Sequence, residues 1–201
     1  MFASGYKKRI MMKNTLILIF IAVSTLLFSQ GIIQPFDLLN VADGKTVSVK
    51  GCQSCAGVVV IFTSLKCPYD QHYQDRIKAL QEKYSGKISF FLINSNPGAD
   101  DDEEKMKVNA PNWGPNIPYL SDKKQTAMKS LSASRTPEAF LLKPEGNGLK
   151  IIYQGSIDDN PQVHTDTGKN YLEDAITDLL AGKAVAVPSQ RVVGCTIRKA
   201  G

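Results

Sequence analysis

Val58–Phe62 reads VVVIF, five apolar residues of which four are β-branched, with no polar face. A strand of that kind has to be covered on both sides, which places it in the middle of a sheet rather than at an edge. From Pro68 the period changes: Tyr73, Ile77, Leu80 and Tyr84 recur at spacings of three and four, one stripe of a helix that ends near Ser85 and Gly86. Ile88–Ile93, ISFFLI, is then a second buried strand. Two such strands joined through a helix make a parallel βαβ unit.

The rest of the chain arranges itself around that unit. Thr46–Val49 alternates like a short edge strand behind the turn residues Asp43 and Gly44. Asn94–Asp102 reads as loop, and the acidic run Asp100–Glu104 opens a helix through Met106 and Val108, where carboxylates suit the positive end of the dipole without any calcium. APNWGPNIPYL is irregular, and Thr126–Leu131 is a short helix. Ala139–Leu142 and Ile151–Tyr153 flank the turn EGNG as an antiparallel hairpin, Tyr171–Leu180 is an amphipathic helix and Val192–Ile197 a short apolar tail. The expected fold class is α/β, a mixed sheet flanked by helices in a single domain. Trp113 and Tyr119 are expected to pack against that sheet.

The N-terminus has a different character. Thr15–Phe28 is a continuous apolar run behind Lys7, Lys8, Arg9 and Lys13, the layout of a secretory signal peptide. It is about five residues short of a comfortable membrane span, so export with cleavage near Ser29 or Gln30 is the first reading and an uncleaved membrane anchor the alternative. The first 29 residues hold four of the 24 basic residues and none of the 19 acidic ones, which leaves 20 against 19 in the remainder. The basic excess therefore belongs to the leader, and nucleic-acid binding is excluded as a function class. The domain organisation read from this is a signal peptide over 1–30, a single α/β domain over 31–184, and a tail over 185–201 that carries Cys195. After cleavage nothing would hold the protein in a membrane.

An exported chain can keep disulfides. Its four cysteines, Cys52, Cys55, Cys67 and Cys195, allow three complete pairings, among which spacing does not choose. A metal site is not expected, because the pair Cys52 and Cys55 has no second pair at ligand spacing. Cys67 lies where a buried strand hands over to a helix, the edge at which reactive groups of open α/β sheets collect. The free amides and dipole there favour a thiolate, making Cys67 a candidate redox nucleophile. His72 and Asp70 follow it, but five residues along a helix turn a side chain about 140° away, so His72 reads as a surface residue. His164 has no partner that the sequence names. Asp158, Asp159 and Asn160 read as a turn bonding its own backbone, with no chemistry assigned.

A strand ending in FTSLKCPY, a following helix, and a later Thr-Pro before a strand in SRTPEAFLL resemble the thioredoxin-like fold and its redoxin branch, which contains the peroxiredoxins. GSIDDNPQ and VVGCTIRK are similar to segments of exported bacterial redoxin-domain proteins, and the resemblance runs from about Phe36 to Lys199. It implies that Pro137, preceded by Thr136, is a cis proline facing Cys67. Ser64 stands where thioredoxins carry the first cysteine of C-x-x-C, and S-x-x-C is similar to the T-x-x-C of peroxiredoxins; Val60 stands where the latter have proline. By the same resemblance Ser64 and Arg135 support the thiolate.

A sulfenate at Cys67 would need a second thiol, and Cys195 is the favoured one, with Cys52 and Cys55 a local disulfide or a relay passing electrons inward. Cys195 reads almost as well as a small buried residue, and Cys52–Cys55 as a plain loop staple. The function implied is that of a thiol-based oxidoreductase, either a peroxidase for a small-molecule peroxide reset by a protein thiol reductant, or a disulfide-exchange protein. It needs no organic cofactor, since sulfur carries the electrons. The alternative is a non-catalytic thioredoxin-like module that binds a partner beside Pro137.

Overall fold

The computed structural model describes residues 32–162 and 167–200. The leader over 1–30 and His164 lie outside the described residues. The order of elements is β1 (Ile32–Ile33), β2 (Phe36–Asn40), β3 (Thr46–Val49), β4 (Gly57–Phe62), α1 (Pro68–Lys83), β5 (Ile88–Asn94), α2 (Glu103–Asn109), β6 (Tyr119–Ser121), α3 (Thr126–Leu131), β7 (Arg135–Thr136), β8 (Glu138–Glu145), β9 (Gly148–Gly155), α4 (Tyr171–Leu180) and β10 (Cys195–Thr196). Short 3-10 turns at Ala99–Asp101 and Ala110–Trp113 flank α2.

One eight-stranded mixed sheet has the order β1-β9-β8-β4-β5-β6-β2-β3, and β7 pairs with β10 in a separate two-stranded ribbon. β4 and β5 are parallel, with Val58 opposite Ser89 and Phe62 opposite Ile93, as the helix between them requires. β8 returns antiparallel on the other side of β4 and forms the expected hairpin with β9. All six residues of β4 are buried, so its two faces feed two cores. Val59 and Ile61 join Tyr73, Ile77 and Leu80 of α1, Tyr84 at its C-cap, and Leu172 and Ile176 of α4. Val58, Val60 and Phe62 pack with Ala127, Met128 and Leu131 of α3. The strand period of two thus assigns alternate residues to opposite layers.

Trp113 and Tyr119 sit in the first of these cores, with rings 6.3 Å apart. Among the described residues no helix is long and apolar enough to cross a membrane.

One face of α1 is polar yet buried. Arg76 Nη1 donates to Asp158 Oδ2 at 2.5 Å and to the Asn160 carbonyl at 2.7 Å, and Tyr73 donates its hydroxyl to Asp158 Oδ1 at 2.8 Å. The guanidinium also lies 4.2 Å from the centre of the Tyr73 ring. Asp158 does make the expected turn, accepting from Asn160 N–H at 3.0 Å, but its main role is to tie α1 to the loop after β9.

Candidate functional site

Cys67 is the N-cap of α1, with extended backbone (φ −86°, ψ 116°) and Pro68 in the first helical position, so the chain leaves β4, turns through Ser64–Lys66 and starts the helix at the sulfur. Cys67 Sγ is bonded to Cys195 Sγ. It also lies 3.1 Å from the carbonyl oxygen of Thr136, whose peptide bond to Pro137 is cis. Only 1% of Cys67 is exposed, because the tail lies over it, while Cys195 is half-buried. When the bridge opens, the unpaired amides at the start of α1 favour negative charge on Cys67.

Three buried carboxylates build the turns that hold these sulfurs. Asp101, 1% exposed, accepts from Ser64 Oγ at 3.1 Å, Leu65 N–H at 2.8 Å and Asn94 Nδ2 at 2.8 Å. It fixes the Ser64–Lys66 turn. The dipole account of the acidic run holds for Asp102, which caps α2 by accepting from Lys105 N–H at 2.8 Å, and fails for Asp101, which faces inward. Glu138, also buried, accepts from Ser134 N–H at 2.8 Å, Arg135 N–H at 3.0 Å and Gln154 Nε2 at 3.0 Å, and so shapes the approach to Thr136–Pro137. Glu138→Ala removes the acceptor of two half-buried backbone hydrogen bonds and is expected to cost about 1 to 3 kcal/mol. Urea unfolding measures this, and a cost below about 1 kcal/mol would remove Glu138 from that role.

Asp70 lies on the same stripe as Tyr73 and is the functional residue that spacing could have found. It accepts Ser64 N–H at 2.9 Å through Oδ2, while Oδ1 faces the Thr136 hydroxyl without a well-formed hydrogen bond. Burial raises the Asp70 pKa well above the ordinary carboxyl range, partly offset by the Ser64 amide and the Thr136 hydroxyl, with the charge of Asp101 adding to the rise. Folding raises this pKa and so favours the neutral acid relative to the unfolded chain. The destabilisation from ionising it is absent below the unfolded pKa and grows as pH climbs towards the folded one. Asp70→Asn keeps the acceptor for Ser64 N–H and cannot ionise. It is expected to raise the urea midpoint relative to wild type at pH 7 and to lose that advantage near about pH 3. A variant equally destabilised at both pH values would contradict this.

The remaining sequence candidates fall elsewhere. Ser64 gives its hydroxyl hydrogen to Asp101 and not to the sulfur. Arg135 is exposed and donates from Nη1 to the Gly194 carbonyl at 3.1 Å, so in this bridged state its guanidinium is engaged by the tail. Cys52 and Cys55 are bonded to each other. They precede β4 whereas Cys67 follows it, and the six residues of that strand span about 20 Å. The pair thus lies at the opposite end of β4 from Cys67, and in this fold it is closed on itself as a local disulfide. His72 is exposed, as its position on the helix requires.

No family model matches the chain, and no curated protein matches it. Solved structures do. A crystal structure of an uncharacterized conserved protein from Geobacillus kaustophilus superposes with a TM-score of 0.75 at 30% identity, over 87% of this chain and 94% of that one. A hypothetical protein from Sinorhizobium meliloti 1021 gives 0.75 at 25% identity, over 85% and 94%. The pneumococcal exposed lipoprotein thioredoxin from Streptococcus pneumoniae gives 0.51 at 16% identity, over 63% of this chain and 92% of that one, a likeness of fold. At that identity and coverage the chain belongs to the family of the Geobacillus kaustophilus protein, and its fold is thioredoxin-like.

Proposed function

We propose that the protein is an exported thiol–disulfide exchange protein whose redox couple is Cys67 and Cys195. The observation that carries this reading is the bridge itself: it joins the N-cap of α1, beside the cis Thr136–Pro137 peptide, to a tail strand. In the reduced form the Cys67 thiolate attacks one sulfur of a partner disulfide, and the partner's other sulfur leaves as thiolate. Cys195 then attacks Cys67 Sγ, which restores the internal bridge and frees the partner as a dithiol. The partner gains two electrons and the pair loses two. One thiolate of a protein dithiol resets the couple by attacking Sγ of the more exposed Cys195, Cys67 leaving as the thiolate that the helix terminus stabilises; the donor's second thiol then displaces Cys195, and the donor departs as a disulfide. Thr136 and Pro137 form the opposing wall.

Exchange is preferred over peroxide reduction because the Ser64 hydroxyl, expected to support the thiolate, is given to Asp101 instead. Export is supported by the basic and apolar N-terminal run and by two disulfides. It is in keeping with the pneumococcal neighbour, itself an exposed lipoprotein. The test offers the reduced protein a model protein disulfide and, separately, hydrogen peroxide. The reading predicts rapid re-formation of Cys67–Cys195 with the disulfide and slow re-formation with peroxide. The reverse order would make it a peroxidase, and no reaction with either would leave a binding module.

A further inference from the structure

We infer that the tail is a built-in occupant of a docking edge, and that the partner it stands in for presents an extended segment in which the reactive cysteine follows a glycine. This rests on the exchange reading of Cys67. Among the described residues β7 has no place in the main sheet and pairs only with the tail, Cys195 opposite Thr136 and Thr196 opposite Arg135, antiparallel. Ile197 N–H donates to the Ser134 carbonyl at 2.9 Å, and Arg135 donates to the Gly194 carbonyl. Every one of these contacts engages the tail's main chain, so an extended strand from another protein can make the same set.

Two positions restrict which strand fits. A Cβ on residue 194 would stand 2.3 Å from the Thr136 carbonyl oxygen and 2.9 Å from its carbon, both backbone atoms that cannot move aside. Only glycine fits there. Ile197, two residues after the cysteine, is buried in the same core cluster as Phe62 and Leu131, which calls for an aliphatic side chain. A partner sulfur that replaces Cys195 on Cys67 must arrive on this edge with this stagger. The partner class is therefore a protein disulfide whose attacked cysteine lies in a Gly-Cys-x-aliphatic segment. Its mixed disulfide with Cys67 forms as its other cysteine leaves as thiolate. When Cys195 returns to attack Cys67 Sγ, the tail reclaims β7, so bond exchange and eviction of the partner are one event.

The test uses the reduced full-length protein and three activated disulfides, each carrying a chromophoric thiol as leaving group. The first is a peptide with the sequence of Val192–Lys199, the second the same peptide with alanine in place of its glycine, and the third a small aromatic disulfide. The glycine peptide is expected to react about tenfold or more faster than the alanine peptide. Gly194→Ala, which pushes the protein's own tail off the edge, is expected to speed the glycine peptide several-fold. If the small disulfide reacts but the two peptides do so at equal rates, the docking inference is wrong while exchange survives. If Gly194→Ala brings no acceleration, the tail is not the occupant that partners displace. If none of the three reacts with Cys67, the exchange reading itself fails.

Discussion

Cys67→Ser is expected to lower the rate of disulfide exchange by about a thousandfold or more and to lower stability by about 4 to 5 kcal/mol relative to the oxidised wild type. The first effect follows because serine cannot form a mixed disulfide, and the bridge left in the variant, Cys52–Cys55, lies at the far end of β4. The second follows from chain entropy. Cys67 and Cys195 are 128 residues apart in sequence, and opening so long a loop restores most of the conformational freedom that the cross-link removed from the unfolded chain. Reduced wild type provides the comparison: it should show the same loss of stability while keeping its activity. Cys195→Ser separates the roles further, because it keeps Cys67 and should stop at the mixed disulfide. Exchange at near wild-type rates in Cys67→Ser would move the chemistry to Cys52 and Cys55.

Asp158→Ala is expected to cost about 3 to 5 kcal/mol. The carboxylate is 2% exposed and Arg76 5%, so the variant leaves a guanidinium in the interior with its charge uncompensated. Tyr73 loses its acceptor as well. A double variant with Arg76→Leu should recover part of the loss, since replacing a buried ion pair by apolar groups is often neutral, whereas breaking one is not. Urea midpoints of the two single variants and the double one measure this. A loss below about 1 kcal/mol for Asp158→Ala would mean that water reaches Arg76 in solution and that the pair does not anchor α1.

The centre of the fold was legible because its signals are local and apolar. VVVIF and ISFFLI became β4 and β5, and the stripe Tyr73, Ile77, Leu80, Tyr84 became the buried face of α1 and its C-cap. What escaped depends on distant pairing. FDLLN forms β2 because β3 and β6 lie on either side of it. In the proline-rich stretch read as irregular, Tyr119–Ser121 is a strand, and the carbonyl of Pro118 just before it accepts from Leu92 N–H, a contact that needs no N–H from the proline. The acidic residues of the site were hardest to see. Asp101 and Glu138 look like surface charges in sequence and are buried because each collects three donors. Asp70 alone carried a signal, its place three residues before Tyr73 on the apolar stripe. The cis peptide at Thr136–Pro137 was expected from resemblance, not from periodicity.

The central claim, that Cys67 and Cys195 form a working couple rather than a staple, is tested most directly by a redox titration of the folded protein in thiol buffers, with each cysteine's state read by alkylation and peptide mapping. The account predicts that the pair titrates reversibly as a two-electron couple at a potential above about −300 mV, within reach of protein dithiols. A Cys67–Cys195 bridge that stays closed throughout that range while the protein remains folded would contradict it.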